Sequence, residues 1–330
     1  MDPVTHAIAA RMAASIARSP LPRAAAVLSV AAGLAPDLDA IFMPAGWDVY
    51  LRVHEVGTHS AVGGVLLAAA MAAAWRPFTA LAFRPLFVTA VIAVSTHILL
   101  DVISGATIRV GWPVLGGRTA IGLVAMADPW LAVPVVVALL IALVSKWRVD
   151  RVAPVTFMLL AAILGTKWIS RQMALAEYQT VADRAAVSRD VHAQWSSLTR
   201  WWVYEQTSDR LRLWDIDSWR PATTRVLDRE RAHPGQMIEG EAELWSVHNF
   251  LLAHHLPIRV SSRTDASTTV FWSDLRFCFA PDPRSGPRPG SRLRPTEDAI
   301  ACGVWFGGEL DPSGRIVGQF VTIGDFVQKK

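Results

Sequence analysis

The fold is decided by the segment Leu86–Ser104, which reads LFVTAVIAVSTHILLDVIS. It contains one carboxylate and one imidazole, and its 19 residues approach the roughly 20 apolar residues that a helix needs to cross a bilayer. Two weaker apolar segments lie upstream, at Thr5–Ala17 and Ala24–Phe42. Three further runs resemble Leu86–Ser104 in length and composition: His59–Trp75, Pro129–Trp147 and Val152–Ser170. The pattern predicts an α-helical membrane bundle of four to six segments.

The composition of the whole chain agrees with a membrane protein. Of the 330 residues, 52% are hydrophobic and 18% are charged, whereas average soluble proteins have about 25% charged residues. The net charge of +4 is too small for a nucleic-acid-binding stripe, so nucleic acid is not expected as a partner and the lipid bilayer is. The two cysteines, Cys278 and Cys302, are too few for a thiolate metal cluster. They form a disulfide if their domain is periplasmic, or they stay free and buried.

The second half of the chain has a different character. Residues 1–170 are predicted to form the membrane-embedded domain, residues 171–200 a linker helix, and residues 201–330 a small, soluble, mainly antiparallel β domain. Short runs rich in β-branched and aromatic residues indicate its strands. These runs are Trp201–Gln206, Arg210–Ile216, Ile258–Ser262, Thr268–Phe279, Gly303–Gly307 and Ile316–Thr322.

Lysine and arginine near the ends of the segments predict the orientation. If all six segments cross, seven basic residues fall on one face and five on the other. The richer face is then cytoplasmic. This bias predicts a multi-pass membrane protein whose C-terminal domain lies outside the cytoplasm, which in a bacterial inner membrane is the periplasmic side.

Ionisable residues inside the apolar half are the candidates for chemistry. His97 and Asp101 are four residues apart, so they share one face of a helix. A lone carboxylate in a bilayer costs about 2.5–3.5 kcal/mol on insertion scales, so it normally faces a bundle interior. A divalent cation would offset that cost. The alternative is a histidine–aspartate hydrogen bond that joins two helices.

Three other places carry similar groups near the segment ends. When the chain is threaded up and down through the membrane, seven imidazoles and carboxylates fall at one face. Such groups, without thiolates, are typical ligands of zinc, iron or manganese. The seven are His6, Asp37, Asp39, His54, His59, His97 and Asp101.

Four ordered motifs resemble a known family. They are MDPVTHA at residues 1–7, PDLD at 36–39, His54 followed by THS at 58–60, and STHILLD at 95–101. They are similar to the bacterial membrane-bound, predicted metal-dependent hydrolases of the YdjM type, also called the DUF457 family. The resemblance covers about residues 1–170 and extends weakly to Trp272–Phe277. It implies an integral inner-membrane protein with hydrolase activity.

One departure from the family pattern affects the substrate. The family commonly reads His-Arg-Gly-x-Thr-His-Ser, whereas this chain has Glu55 and Val56 in place of arginine and glycine. The two histidines keep their spacing. An arginine that would hold an anionic group of the substrate is missing, so phosphoesterase activity is less secure here than for the family.

These observations lead to a hypothesis of metal-assisted hydrolysis. The cofactor is a divalent metal, zinc in the first place, with manganese or iron as alternatives. Asp39 or Glu55 is the candidate general base. Asp128 either orients a ligand histidine or caps the helix that starts at Pro129. The candidate metal ligands are His6, Asp37, His54, His59, His97 and Asp101.

The depth of the site suggests the substrate class. A site near the headgroup level favours an ester or phosphoester of a lipid or a lipid-linked small molecule. The alternative function is a non-catalytic membrane protein, with the polar cluster as a structural metal site or glue and the β domain as a partner-binding module. Loss of bound metal together with turnover on substitution of His97 would favour the enzyme.

Overall fold

The computed structural model describes residues 2–17, 20–46, 49–50, 53–54, 56–105, 107–144, 148–253, 256–279, 301–323 and 326–329. Within these ranges there are seven α-helices. They are α1 (Pro3–Ala17), α2 (Arg23–Leu34), α3 (Ala61–Trp75), α4 (Phe83–Ile103), α5 (Pro129–Val144), α6 (Val149–Gln179) and α7 (Trp245–Ala253).

Four helical segments are long and apolar enough to cross a membrane: Arg23–Ala45, Ala61–Phe78, Phe83–Ile103 and Val149–Gln179. The sequence predicts Ala24–Phe42 as a weaker candidate for a membrane span. It belongs to the four because the 3-10 segment Ala35–Ala45 extends α2. The described part of α5 has 16 residues and is shorter than these four. The prediction of a bundle with four to six membrane segments is confirmed.

Small residues let the helices of the bundle approach closely, as is common between helices in membranes. α1 lies between α2, α4, α5 and α6. At its contact with α2, a Cβ atom added to Gly33 would lie 2.4 Å from the Cβ of Ala10. The tight packing of α1 against α2 brings the start of α1 next to the end of α2.

The C-terminal region contains two antiparallel sheets. The first has the order β1 (Ser188–Ala193), β2 (Arg200–Gln206), β3 (Arg210–Asp217) and β4 (Ala222–Glu230). The later strands are β5 (Pro257–Arg263), β6 (Thr268–Asp274), β7 (Cys278–Phe279), β8 (Ala301–Cys302), β9 (Val304–Leu310), β10 (Ile316–Ile323) and β11 (Phe326–Lys329). Five of them form the second sheet, in the order β11–β10–β9–β6–β5.

The predicted antiparallel β architecture is confirmed. The six predicted strand runs all overlap observed strands, and Thr268–Phe279 is divided between β6 and β7 by the 3-10 turn Leu275–Phe277. Four strands, β1, β4, β8 and β11, and the helix α7 were not predicted from the sequence. The short β7 and β8 pair with each other, and Cys278 and Cys302 form a disulfide between them.

The prediction of a linker helix as far as residue 200 is wrong in its second half. α6 ends at Gln179, and Ser188–Ala193 forms the edge strand β1. β1 pairs with β2 in the register Val191↔Val203, which buries Val191 against Trp201. Tertiary pairing decides the conformation of a stretch whose local sequence is compatible with a helix.

The first sheet shares a hydrophobic core with α6. Ala174 and Tyr178 on α6 pack with Trp201 and Val203 of β2, and Leu123 from the segment before α5 joins them. α6 therefore runs without a break from the membrane half into the C-terminal region, and it carries the first sheet on its last turns.

Candidate metal centre

The histidine and aspartate side chains come together from three helical elements and from the segment before α3. His6 lies in the first turn of α1, and Asp37 and Asp39 lie in the 3-10 segment Ala35–Ala45. His97 and Asp101 are one turn apart on α4. The two remaining histidines of the cluster, His54 and His59, precede α3.

The start of α3 is fixed by a helix cap. Ser60 is the N-cap residue, and its hydroxyl accepts a hydrogen bond from the backbone N–H of Gly63 at 2.9 Å. Such a cap satisfies one of the free N–H groups at the helix start. His59 precedes this cap directly, so the cap holds its backbone at the end of α3 that faces α4.

Four ligand atoms form a compact group at the centre of the cluster. His97 Nε2 lies 3.2 Å from His59 Nε2, 3.1 Å from Asp101 Oδ2 and 3.5 Å from Asp37 Oδ1. His59 Nε2 lies 3.4 Å from Asp37 Oδ1 and 3.5 Å from Asp101 Oδ2. These five distances between the four ligand atoms all lie between 3.1 and 3.5 Å.

These distances match the separation of neighbouring ligand atoms in a tetrahedral metal site. Zinc binds histidine nitrogen and carboxylate oxygen at about 2.0–2.1 Å, so the ligand atoms of an ideal tetrahedron are about 3.3–3.4 Å apart. The donor set of two imidazoles and two carboxylates is also one that zinc accepts. The described residues therefore fit a divalent metal in both spacing and chemistry.

The protonation of His97 supports a cation at this point. Its Nδ1 lies 2.7 Å from the carbonyl oxygen of Gly33. A carbonyl can only accept a hydrogen bond, so Nδ1 carries the proton, and Nε2 of the neutral ring points its lone pair at two carboxylates. Only a positive charge between them, a metal ion or a further proton, makes that arrangement favourable.

His6 lies at the edge of the four-atom group. Its ring stacks on that of His97 with centroids 3.7 Å apart, and its Nε2 lies 3.3 Å from Asp101 Oδ1. Both ring nitrogens are buried, and Nδ1 has no hydrogen-bond partner within the described part of the chain. Since buried polar atoms normally have partners, His6 is a further potential ligand.

Asp39 and His54 form a second pair beside the group. His54 Nδ1 lies 2.9 and 3.0 Å from the two oxygens of Asp39. Asp39 Oδ2 also accepts from Thr58 at 3.4 Å and lies 3.8 Å from His59 Nδ1. One ring nitrogen of His54 lies within 4.8 Å of ligand atoms of Asp37 and His59. The pair therefore lies next to His59, with Asp39 on the side of its Nδ1 atom.

Burial shows from which side the centre can be reached. The side chains of His6, His59, His97 and Asp101 are almost completely inaccessible to solvent, whereas that of Asp37 is 33% exposed. A small molecule would therefore approach on the side of Asp37.

Two candidates from the sequence analysis are not part of the described cluster. Glu55 lies outside the residues that the structure describes. Asp128 caps α5 by accepting from the backbone N–H of Trp130 at 3.0 Å, and it pairs with Lys167 at 2.8 Å, both side chains being fully buried. The capping alternative for Asp128 is the one observed, and the pairing with Lys167 was not predicted. A lone lysine in an apolar helix was the signal for it.

The C-terminal motif Trp272–Phe277 contributes none of the four central ligand atoms and forms an ion pair of its own. Asp274 accepts hydrogen bonds from Arg276 Nε and Nη2 at 2.8 and 2.7 Å, and both residues are largely buried. Burial and the nearby Arg276 lower the pKa of His192 to about 4, so this histidine is neutral at neutral pH. A Cβ atom added to Gly105, just after α4, would lie 2.9 Å from His192 Nδ1, so β1 packs against the end of α4.

The fold and the cluster define a multi-pass membrane protein with a group of residues that could hold a metal ion. The model of the YdjM inner membrane protein family matches residues 1–174, and the chain belongs to this family. This confirms the resemblance noted in the sequence, and with the four apolar helices it supports an inner-membrane location. The chain matches no curated protein and no solved structure.

Proposed function

We propose that this protein is a membrane-bound metal-dependent hydrolase. Asp37, His59, His97 and Asp101 are the proposed ligands of a divalent cation, with His6 and His54 as additional donors. The five distances of 3.1–3.5 Å among the central ligand atoms carry the proposal. Zinc is the first choice, because the donors are imidazoles and carboxylates at distances that suit it, and manganese or iron is the alternative.

Such a cation, when bound, would polarise an ester or phosphoester oxygen and lower the pKa of a water molecule. The chain's own residues orient the donors. The Gly33 carbonyl fixes the tautomer of His97 through its hydrogen bond with Nδ1, as outer-shell partners of metal ligands commonly do. Thr58, 3.1 Å from His59 Nδ1, helps to hold the other central imidazole.

Asp39 is the proposed general base, acting together with His54. The Asp39 carboxylate can accept a proton from water. It can also stabilise the imidazolium of His54, 2.9 Å away, when that ring accepts the proton instead. Asp39 lies on the same 3-10 segment as the partly exposed Asp37, which supports the role. Glu55, the second candidate base, remains a proposal from the sequence alone.

The proposed substrate is a lipid or a lipid-linked small molecule with an ester or phosphoester bond. The cluster lies at the ends of apolar helices, near the level where headgroups are found. The departure at Glu55 and Val56 removes an arginine that could hold an anionic group, so a neutral ester is the first substrate to test.

Asp39→Asn is expected to lower turnover by roughly 10²- to 10⁴-fold, which is the usual contribution of general acid–base catalysis. The measurement is hydrolysis of p-nitrophenyl esters and phosphoesters by detergent-purified protein in excess zinc or manganese, with metal content determined in parallel. The amide keeps the shape of the carboxylate, so the metal is expected to remain.

The matched control for this experiment is Asp150→Asn. Asp150 pairs with Arg148 at the start of α6, at the end of the helix away from the Asp128–Lys167 pair. It should leave turnover unchanged. If metal-loaded wild type hydrolyses none of these substrates, the catalytic proposal is wrong, and a retained metal would then favour the non-catalytic alternative.

We also propose that the C-terminal region is periplasmic. The disulfide between Cys278 and Cys302 supports this orientation, because disulfides persist in oxidising compartments and are rare in the cytoplasm. The distribution of basic residues in the sequence favours the same side.

A reporter fusion tests the orientation. Alkaline phosphatase fused after Lys330 is expected to be active, because it requires an oxidising compartment, and the same reporter fused after Thr79, between α3 and α4, is expected to be inactive. Green fluorescent protein should give the opposite pattern. Fluorescence from the C-terminal fusion without phosphatase activity would contradict the proposed orientation.

A further inference from the structure

One end of the first sheet lies against the membrane half. Because the sheet is an antiparallel meander, the turns 194–199 and 218–221 are at the same end. Trp195 Nε1 donates to the Ala127 carbonyl at 2.8 Å, and Trp130 Nε1 donates to the Ser196 carbonyl at 3.1 Å. In the second turn, the hydroxyl of Ser218 lies 2.7 Å from that of Ser170 on α6.

The length of α6 gives the depth of these turns. Nineteen residues separate Val149 from Trp168, which at 1.5 Å per residue is about 29 Å, close to the thickness of a hydrocarbon core. The turns contact α6 at Lys167 and Ser170, so they lie at the level where the helix leaves the hydrocarbon.

Both turns expose a large aromatic side chain at this level. Trp195 is 68% exposed and Trp219 is 77% exposed. Trp130 and Trp168, on the two neighbouring membrane helices, are also partly exposed. Tryptophan is enriched at membrane–water interfaces, where its ring meets acyl chains and its N–H meets polar groups. By contrast, the turn at the other end of the sheet exposes Ser208 and Asp209.

We infer that Trp195 and Trp219 insert into the interface of the membrane that the chain spans, so that the first sheet rests on the phospholipid surface. The partner is the headgroup and upper acyl region of the bilayer. The surface is continuous with the lipid-facing sides of α5 and α6, which carry exposed apolar residues such as Val133 and Ile169. This inference does not depend on the metal centre or on hydrolase activity.

A nitroxide spin label placed beside the indoles tests the inference. Arg220→Cys leaves both tryptophans in place at an exposed position, and the native cysteines are joined in a disulfide, so the label has one target. The full chain is reconstituted in vesicles of phosphatidylethanolamine and phosphatidylglycerol. Collisions of the label with molecular oxygen are expected to exceed those with a water-soluble nickel chelate several-fold.

The matched control is Ser208→Cys, at the opposite end of the same sheet. β3 spans seven residue steps, about 23 Å, so this label should lie in water and collide mainly with the nickel chelate. Replacing Trp195 and Trp219 by serine in the Arg220→Cys chain should shift its label toward the behaviour of the control. The inference is overturned if the label at residue 220 matches that at residue 208, or if removing both indoles changes nothing.

Discussion

Asp101→Asn is expected to remove most of the divalent metal from the purified protein. The two oxygens of Asp101 face different histidines: Oδ1 lies 3.3 Å from His6, and Oδ2 lies 3.1 Å from His97 and 3.5 Å from His59. The amide keeps the size of the side chain but loses its charge. Loss of an outer-shell partner typically weakens metal binding 10- to 100-fold, so loss of a central ligand should weaken it more.

Two measurements check this expectation. The first is metal content by mass spectrometry after dialysis, where wild type should retain about one ion per chain if the four central atoms form one site. The second is thermal unfolding in detergent. A ligand at 1,000 times its Kd stabilises the folded state by about 4 kcal/mol, so a chelator should lower the Tm of wild type and leave that of Asp101→Asn unchanged.

Asp150→Asn is again the matched control, and it should behave like wild type in both measurements. Wild-type metal content in Asp101→Asn would show that Asp101 is not a ligand. A wild type that binds no zinc, manganese or iron would exclude the metal centre itself and leave a hydrogen-bonded polar cluster.

Lys167→Met is expected to destabilise the protein by about 3 kcal/mol. Lys167 and Asp128 are fully buried and 2.8 Å apart, and breaking a buried ion pair from one side typically costs about 3–5 kcal/mol because one charge is left without compensation. Asp128 would keep its hydrogen bonds from the backbone N–H groups of Ala125 and Trp130, which places the effect at the lower end.

Unfolding in mixed micelles with increasing SDS measures this loss. Lys329→Met, at an exposed position in β11, is the matched control and should leave the midpoint unchanged. The double variant Asp128→Asn/Lys167→Met should recover part of the loss, since it removes the unpaired carboxylate. A Lys167→Met protein as stable as wild type would mean that the pair contributes nothing to the junction between α6 and the first sheet.

The sequence was sufficient to predict the bundle and the composition of the cluster. Apolar runs near the length of a bilayer crossing identified the helices, and the four-residue spacing of His97 and Asp101 indicated a shared face. Alternating passage through the membrane then brought His6, Asp37 and His59 to the same side. These inferences succeeded because a bilayer restricts the chain to few arrangements.

The arrangement within the cluster could not be predicted in the same way. That His59 and His97 face each other at 3.2 Å, while His54 turns to Asp39, depends on the path of the 3-10 segment Ala35–Ala45 and on the cap at Ser60. Sequence spacing gives no distance between residues on different elements.

The β region was harder for a related reason. The local sequence of β1 is compatible with a helix. Its strand conformation depends on the pairing with β2 and on burial against α6. Lys167 is one of the five basic residues on the less basic face, and its sequence position does not reveal its partner Asp128, which lies 39 positions earlier in the chain. Contacts between distant positions decided both outcomes.

The shared core at the end of α6 has a consequence for how this protein can change. Ala174, where the match to the family ends, is fully buried in this core together with Leu123 and Trp201. A substitution at residue 174 changes the packing of both the membrane half and the first sheet. The sequences of the two parts therefore cannot change independently at this contact. A relative with a different C-terminal domain would need different core residues on α6 and on the segment before α5 as well.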